Sequence, residues 1–204
     1  MYGLAERTVS PIHPNKSYYN KDIVPYPYDL EKAAALLEEA GWTDTDDDGI
    51  RDKEVDGDEI PLKLEFKYTS GSTTGENMAL LIKKDFSKIG VEVEIVAKEW
   101  TVFLEDTKSH NFDMVSLGWV MGSGLSDMKQ IWHTESFNGG SNYVGFGNAY
   151  TDNLIESIRY ELDEEKRDKM YMEIQEIIHE EAPYIFMFTG KSKIAIHKRF
   201  DNAE

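Results

Sequence analysis

The 204-residue sequence contains no cysteine, and this absence excludes disulfides, thiolate chemistry and cysteine-ligated zinc. Long apolar runs are also missing, because no segment approaches the roughly 20 residues that span a bilayer as a helix. Basic residues are few: 22 Lys and Arg stand against 39 Asp and Glu, which gives a formal charge of −17 at pH 7. This charge repels phosphate backbones and anionic lipids at long range, so we expect no nucleic-acid partner.

Signatures of common catalytic sites are absent as well. His179, Glu180 and Glu181 begin like a zinc-binding helix, but no histidine stands four residues after His179. Segment 71–76 has two glycines, but its second glycine is not followed by the Lys and the Ser or Thr that hold phosphate and magnesium in a phosphate-binding loop. No GxSxG nucleophile motif occurs. We therefore expect a binding protein that is not an enzyme and requires no cofactor.

Helical and strand periodicities alternate along the chain, and Asp29 and Asp163 are placed to cap two of the helices. In chain order the predicted elements are a helix ending at Gly41, a strand at 61–68, a helix that buries Met78, Leu81, Ile82, Phe86 and Ile89 and ends at Gly90, a strand at 91–96, a short helix at 102–108, a strand at 112–119, a helix that buries Leu154, Ile155, Ile158 and Leu162, a helix between Asp163 and Pro183, and a hairpin of 184–189 with 193–197. The strand–helix–strand order in the first part predicts an α/β fold.

Four prolines lie among the tyrosines of residues 10–28. Proline fixes its own backbone and restricts the preceding residue, so this stretch is expected to be extended and irregular. We predict an N-terminal strap over residues 1–28 that lies on a surface. An α/β lobe is then expected over residues 29–200, followed by a short tail at 201–204.

An acidic loop, DTDDDGIRD, follows the first predicted helix. Asp44, Asp46 and Asp48 stand at alternate positions, the carbonyl of Ile50 can add an oxygen, and Asp52 follows. Hard oxygen ligands at this spacing are typical of calcium loops. Without a cation the aspartates would repel one another. The pattern therefore indicates a structural calcium site.

A solvated surface turn is the alternative interpretation of the acidic loop. Aspartate and glycine are also the residues that turns prefer. In addition, the loop departs from the EF-hand pattern, because Ile50 follows Gly49 directly and the twelfth position is Val55 rather than a glutamate. Both interpretations remain open at the level of the sequence.

Aromatic residues and glycines concentrate in segment 118–146. Small residues let backbone amides approach a ligand, and Trp119, Trp132 and Tyr143 can provide flat apolar walls. For Trp132, which lies on an amphipathic turn, a place in the core is the favoured interpretation. Trp119 ends an apolar strand, where open α/β sheets commonly bind ligands, so a ligand wall and a core position are both open for it.

Several motifs in this order resemble one family: SPIHP, YPYDLEKAAALLEEAGW, FDMVSLGW, IWHTES, GGSNYVGFGN, EEAPYIFMF and KRF. They are similar to the extracellular solute-binding proteins of oligopeptide, dipeptide and nickel ABC transporters, bacterial family 5. The resemblance runs from about Ser10 to Phe200. It implies a type II periplasmic-binding-protein-like lobe, with a mixed sheet flanked by helices. It also implies that this chain is only the carboxyl-terminal lobe of a two-lobed protein that encloses a peptide.

The resemblance further implies partners and a location. The expected partners are a peptide or other small solute, the N-terminal lobe of the same protein and an ABC permease. The expected location is extracellular or periplasmic, with export and, in some bacteria, a lipid anchor. No basic segment followed by an apolar stretch comes after Met1, so no signal peptide is expected within this chain.

The same resemblance indicates ligand-binding residues, and at one of these positions this sequence differs from the family. Many peptide-binding relatives carry a GWxxD motif whose aspartate pairs with the amino group of the peptide, and that position is Gly122 here. Asp127 is then the candidate for amine recognition, and Asn142 for bonding peptide amides. With Gly118, Trp119 and Tyr143 these form the predicted ligand site. A secreted calcium-dependent hydrolase or adhesion domain is the alternative function, supported by the acidic loop alone.

Overall fold

The computed structural model describes residues 3–120, 122–191 and 199. Its helices and strands are, in chain order, β1 (Ala5–Arg7), α1 (Leu30–Glu39), β2 (Asp52–Val55), β3 (Asp58–Pro61), β4 (Lys63–Thr69), α2 (Thr73–Phe86), β5 (Glu92–Lys98), α3 (Trp100–Lys108), β6 (Met114–Val115), α4 (Lys129–Trp132), α5 (Ala149–Tyr160), α6 (Glu164–Glu181) and β7 (Phe188–Gly190). Short 3-10 turns cover Ser87–Ile89 and Thr134–Ser136. Within the described ranges, no helix combines the length and the hydrophobicity needed to cross a membrane.

The chain divides into two compact units. The first unit contains Met1–Pro25, Met121–Thr134 and Phe146–Glu204. The second unit contains Tyr26–Val120 and Glu135–Gly145. Each unit has its own hydrophobic core.

A parallel three-stranded sheet forms the centre of the second unit, and it confirms the predicted α/β fold. Its order is β5–β4–β6, with Phe66 of β4 facing Ile95 on one side and Met114 on the other. Parallel neighbours require crossover connections, which α2 and α3 provide. Phe66 and Val93 are buried in the core beneath α2. The third strand is shorter than predicted, because only Met114–Val115 of the apolar run 112–119 is paired.

The helix boundaries in the second unit follow the predicted caps. The side chain of Asp29 accepts a hydrogen bond from Lys32 N at 2.9 Å, and Gly41 takes the left-handed conformation after α1. In α2 the prediction that Leu81 is buried is wrong, since Leu81 is 58% exposed and Ala79 is fully buried. At 3.6 residues per turn, Leu81 projects well away from the stripe that includes Gly75 and Ala79.

A buried cation joins α3 to the sheet. The Lys67 side chain on β4 is 4% exposed, and its Nζ lies 3.0 Å from Asp106 Oδ2 on α3. A charge in this position requires a partner, and Asp106 supplies it. The hydrogen bond from Lys67 correspondingly lowers the pKa of Asp106. This pair fixes the carboxyl-terminal end of α3 against β4.

The hairpin of β2 and β3 was not predicted, although the sequence carries a signal for it. Asp56 and Gly57 form its two-residue turn with φ angles of 55° and 92°. Two positive φ angles define a type I′ turn, and an Asp-Gly pair is among its preferred sequences. The two strands are short and rich in charged residues, so they lack the alternation of apolar and polar residues that predicts a strand.

The first unit is built around α5 and α6. Asn148 and Thr151 form a reciprocal capping box at the start of α5, and Asp163 caps α6 as predicted. Ile155 and Ile174 are fully buried in this core. The prediction that Leu162 is buried is wrong: α5 ends at Tyr160, and Leu162 beyond it is 92% exposed.

The N-terminal strap has no helix or strand between residues 8 and 25, in agreement with its prolines. Two of its side chains, Ile12 and Tyr18, are 1% and 3% exposed within the core of the first unit. Tyr18 stacks on Tyr171 of α6 at 4.2 Å between ring centroids. The apolar residues between the prolines therefore anchor the strap.

The end of the first unit differs from the predicted hairpin. Strand β7 pairs antiparallel with β1, with Thr189 opposite Glu6. It covers Phe188–Gly190 rather than 184–189. The predicted partner strand at 193–197 and the tail at 201–204 lie outside the described residues.

Candidate functional site

Trp119 and Tyr143 form an exposed aromatic pair in the second unit. Trp119 follows β6 by four residues, beyond the carboxyl end of a parallel strand, where open α/β sheets bind ligands. Its ring stacks on that of Tyr143 with 6.0 Å between centroids and 20° between planes. Trp119 remains 39% exposed, and its neighbour Val120 is fully exposed. An indole held flat and open to solvent offers an apolar wall to a ligand.

A tight loop presents Tyr143. Asn142 N donates to Ser136 O at 3.2 Å, and Gly139 takes a left-handed conformation. A Cβ on Gly140 would lie 2.5 Å from Ser136 O, so only glycine fits at this point of the loop. The Asn142 residue is 0% exposed, so the structure encloses it and leaves Tyr143 half-buried beside it.

His110, just after α3, belongs to this group although the sequence analysis did not nominate it. Its ring stacks on Phe137 at 3.9 Å between centroids, and its Nδ1 lies 2.9 Å from the carbonyl oxygen of Tyr143. No local sequence pattern signals these contacts, because they join residues 27 and 33 positions apart.

Gly118 precedes Trp119 and leaves open space. A Cβ at this position would meet no atom within 4 Å. Packing inside the chain therefore does not require glycine here, and the backbone at Gly118 is open to an approaching ligand.

Asp127 belongs to the first unit, whereas Trp119, Tyr143 and His110 belong to the second. The Asp127 carboxylate accepts a hydrogen bond from Lys129 N at 3.0 Å and lies 3.5 Å from Arg159 Nε. The side chain is nevertheless 59% exposed, which leaves room for a further cationic partner.

A tyrosine pair fixes the residue before Asp127. Tyr171 donates its hydroxyl hydrogen to Ser126 O at 2.5 Å, and Ser126 N donates to the Tyr18 hydroxyl at 3.1 Å. Burial raises the pKa of Tyr171 to about 12, with a further contribution from Tyr18. Tyr171 therefore remains a hydrogen-bond donor at physiological pH, and Asp127 is held at a defined position.

The acidic loop brings together three of its predicted ligands. Oxygen atoms of Asp44, Asp46 and Asp48 lie within 4.8 Å of one another, and all three residues are exposed. Asp44 accepts from Gly49 N at 2.9 Å, and Asp48 accepts from Ile50 N at 2.7 Å. These bonds stabilise the turn whether or not a cation is present.

Asp52 does not join this acidic group. It is 7% exposed at the start of β2, and its carboxylate accepts hydrogen bonds from Thr45, 3.4 Å from Oγ1 and 3.5 Å from N. Its backbone N–H and carbonyl pair with Thr43. The loop therefore gathers three carboxylates where the sequence suggested four.

Comparison with known proteins places the chain among bacterial extracellular solute-binding proteins. Residues 1–141 match the family described as bacterial extracellular solute-binding proteins, family 5 Middle. The oligopeptide-binding protein AppA of Bacillus subtilis (strain 168) is 33% identical over 203 residues, which is 98% of this chain and 36% of the relative. The dipeptide-binding protein of Escherichia coli (strain K12) is 30% identical over 178 residues, 86% of this chain and 31% of the relative.

Solved structures show the same fold. AppA from Bacillus subtilis in complex with a nonapeptide gives a TM-score of 0.83 at 32% identity, covering 93% of this chain and 37% of that one. The oligopeptide-binding protein from Thermus thermophilus with a pentapeptide gives 0.85 at 26% identity, covering 93% and 34%. These neighbours confirm the predicted type II periplasmic-binding-protein fold. The chain spans about a third of the length of these relatives.

Proposed function

Because the chain belongs to the bacterial extracellular solute-binding proteins of family 5, we propose that it provides part of a binding site for peptides or peptide-like solutes. The observation that carries this proposal is the exposed Trp119, stacked on Tyr143 beyond the carboxyl end of β6. The relatives named as oligopeptide- and dipeptide-binding proteins support the solute class.

We propose apolar recognition by the second unit and, separately, recognition of a charge by the first unit. Trp119 covers an apolar portion of the solute, and the open backbone at Gly118 approaches its peptide groups. Asp127 pairs with a free amino group, a charge-assisted bond of about 1.5–3 kcal/mol where it is shielded from water. Asn142 contributes to the loop that carries Tyr143 rather than reaching the solute, because it is fully buried.

In this proposal the chain acts within a longer protein, the substrate-binding component of an ABC importer. The second lobe of that protein closes over the solute by a hinge motion, and the closed form delivers the solute to the membrane permease. Export across the cytoplasmic membrane, with a lipid anchor in some bacteria, places the protein outside the cytoplasm. Apolar walls on both lobes would exclude water from the enclosed peptide.

The test removes Trp119 in this longer protein. A mixture of pentapeptides to nonapeptides is offered, and the affinity of the tightest binder is measured by calorimetry. Trp119→Ala should weaken binding about tenfold or more, because a stacked indole covering the ligand is a typical binding hot spot. Tyr160→Ala is the control, since Tyr160 is a 76% exposed aromatic at the end of α5 and its loss should change affinity less than about twofold.

A different result for Trp119→Ala would contradict the proposal. A variant Trp119→Ala that keeps full affinity and loses about 3–5 kcal/mol in the free energy of unfolding would show that Trp119 belongs to the core. The proposed site would then be wrong.

A further inference from the structure

His110 occupies a backbone position that normally belongs to glycine. It follows the carboxyl-terminal end of α3 with a φ angle of 58°, and its N–H donates to Thr107 O at 3.3 Å. Asn111 N donates to Asp106 O at 2.8 Å, which completes the helix-terminating turn. A residue with a Cβ is strained in this left-handed conformation. The contacts of the histidine side chain must offset this strain.

Both ring nitrogens of His110 face carbonyl oxygens. Nδ1 lies 2.9 Å from Tyr143 O, and Nε2 lies 3.2 Å from Phe137 O. The ring also stacks on Phe137 with 13° between the planes. A neutral imidazole carries one N–H and a lone pair on the other nitrogen, whereas the imidazolium carries two N–H groups. Only the protonated ring can therefore donate to both carbonyl groups.

These two carbonyl groups belong to the segment that presents Tyr143. The turn at Gly139 and the hydrogen bond from Asn142 N to Ser136 O are among the other contacts that hold residues 136–145. Tyr143 in turn stacks on Trp119. A continuous set of contacts thus leads from the end of α3 to the exposed indole.

Charged groups do not compete for the ring. Among the described residues, no charged side chain lies within ion-pair distance of it. Asp106, on the same helix end as His110, binds Lys67 and Asn111. The Asp113 carboxylate accepts a hydrogen bond from Glu65 N. The other charged residues on or next to these elements are Glu105 and Lys108 on α3 and Glu135 beside the clamped segment.

We propose that His110 is a positioning residue whose protonation clamps segment 136–145 and so orders Tyr143 and Trp119 for solute binding. This rests on the proposed function of the aromatic pair. Protonation gives both ring nitrogens an N–H, so acid favours the clamped segment and base weakens the clamp. Histidine ordinarily changes charge between about pH 5 and 8. Solute affinity is then higher on the acid side of that range.

The test is amide hydrogen exchange of residues 136–145 in the 204-residue chain at two pH values, about 5.5 and 8, without solute. Protection, corrected for the intrinsic pH dependence of exchange, should fall about threefold to tenfold at the higher pH in the wild-type chain. His110→Asn should remove this dependence, because asparagine tolerates the left-handed backbone but does not titrate. His13→Asn is the matched control and should retain it, since His13 accepts from Asn15 N in the first unit.

Equal pH dependence in the wild-type chain and in His110→Asn would overturn the clamp, as would unchanged protection in the wild-type chain. This experiment uses no solute, so its failure is distinct from failure of the proposed function, which the Trp119→Ala titration reports. A clamp that responds to pH in a protein whose peptide affinity ignores pH would overturn the positioning role.

Discussion

Two tryptophans of segment 118–146 have opposite surroundings. Trp132 is 1% exposed, with Phe146 packed edge-on at 5.3 Å and Tyr184 at 4.7 Å. Trp119 is 39% exposed and stacks on Tyr143. Burial of an aromatic side chain contributes several kcal/mol to folding, and Trp119 forgoes much of this gain. A large apolar surface left open in this way is available to a ligand.

Asp127 gives a residue-scale prediction about amine recognition. In the longer protein, Asp127→Asn should weaken binding of peptides with a free amino terminus about tenfold and leave N-acetylated peptides nearly unchanged, because only the free amine carries the partner charge. Calorimetry with the two forms of one peptide measures this difference. Asp58→Asn, an exposed residue at the turn of the β2–β3 hairpin, is the control.

An unchanged preference between free and acetylated peptides in Asp127→Asn would place amine recognition elsewhere. The existing contacts of Asp127 with Lys129 N and Arg159 would then be purely structural.

Sequence reasoning at this scale succeeds where the relevant contacts are local. The interpretation of Trp132 as a core residue is confirmed, because its amphipathic turn determines which side is buried. His110 could not be found in this way, since its partners Phe137 and Tyr143 are distant in sequence. The distinction between an exposed and a buried Trp119 likewise depends on the fold around it.

At the scale of elements, one buried side chain of α6 forms several of the hydrogen bonds that hold the strap. Gln175 of α6 accepts hydrogen bonds from Ser10 Oγ at 2.8 Å and Asn20 N at 3.1 Å. Its Nε2 donates to Tyr18 O at 2.8 Å and to Tyr171 O at 2.7 Å. The residue is fully buried, so its loss would remove hydrogen-bond partners from buried strap groups.

Replacing this side chain should release the strap. Gln175→Ala leaves buried strap groups without a partner and should lower the free energy of unfolding by about 2–4 kcal/mol. Urea denaturation measures the change. Glu180→Ala, an exposed position on the same helix, should stay within about 0.5 kcal/mol of the wild type. Equal stability of both variants would show that the prolines and apolar contacts hold the strap without Gln175.

The acidic loop gives a second prediction for an element. If Asp44, Asp46 and Asp48 bind calcium, the ion offsets their repulsion in the folded chain and raises the melting temperature by mass action. Each kcal/mol of binding should add roughly 2–4 °C. Magnesium should add less, because it sheds its water reluctantly. Differential scanning calorimetry from chelator to millimolar calcium measures the shift.

Two variants make this calcium test specific. Asp46→Asn should abolish the shift, and Asp58→Asn outside the acidic group should retain it. A melting temperature that is the same in chelator and in calcium would return the loop to a solvated turn, stabilised by the hydrogen bonds to Gly49 N and Ile50 N.

Caps and periodicity made most elements predictable, whereas pairing between distant segments was not. Asp29 and Asp163 cap their helices, and the three strands predicted in the second unit pair in one sheet. The pairing of β7 with β1 had no local signal, since it joins segments at opposite ends of the chain. The exposed Leu81 shows that hydrophobicity alone does not define the buried face of a helix.

At the scale of the whole molecule, the chain combines a family-typical fold with about a third of the length of its relatives. We propose that the remaining part of the longer protein supplies the opposite wall of the site. The isolated chain would then retain Trp119 and Tyr143 but leave one side of a bound peptide in water. Much of the apolar contact and the water exclusion would be lost with that wall.

The most direct test of this account is native mass spectrometry of the longer protein and of the isolated 204-residue chain, each mixed with the same pentapeptides to nonapeptides at about 1 μM, a concentration that selects binders stronger than about −8 kcal/mol. The account predicts peptide complexes of the longer protein and almost none of the isolated chain. Equally abundant complexes with the isolated chain would contradict a site shared between two lobes, and no complex with either protein would contradict peptide binding itself.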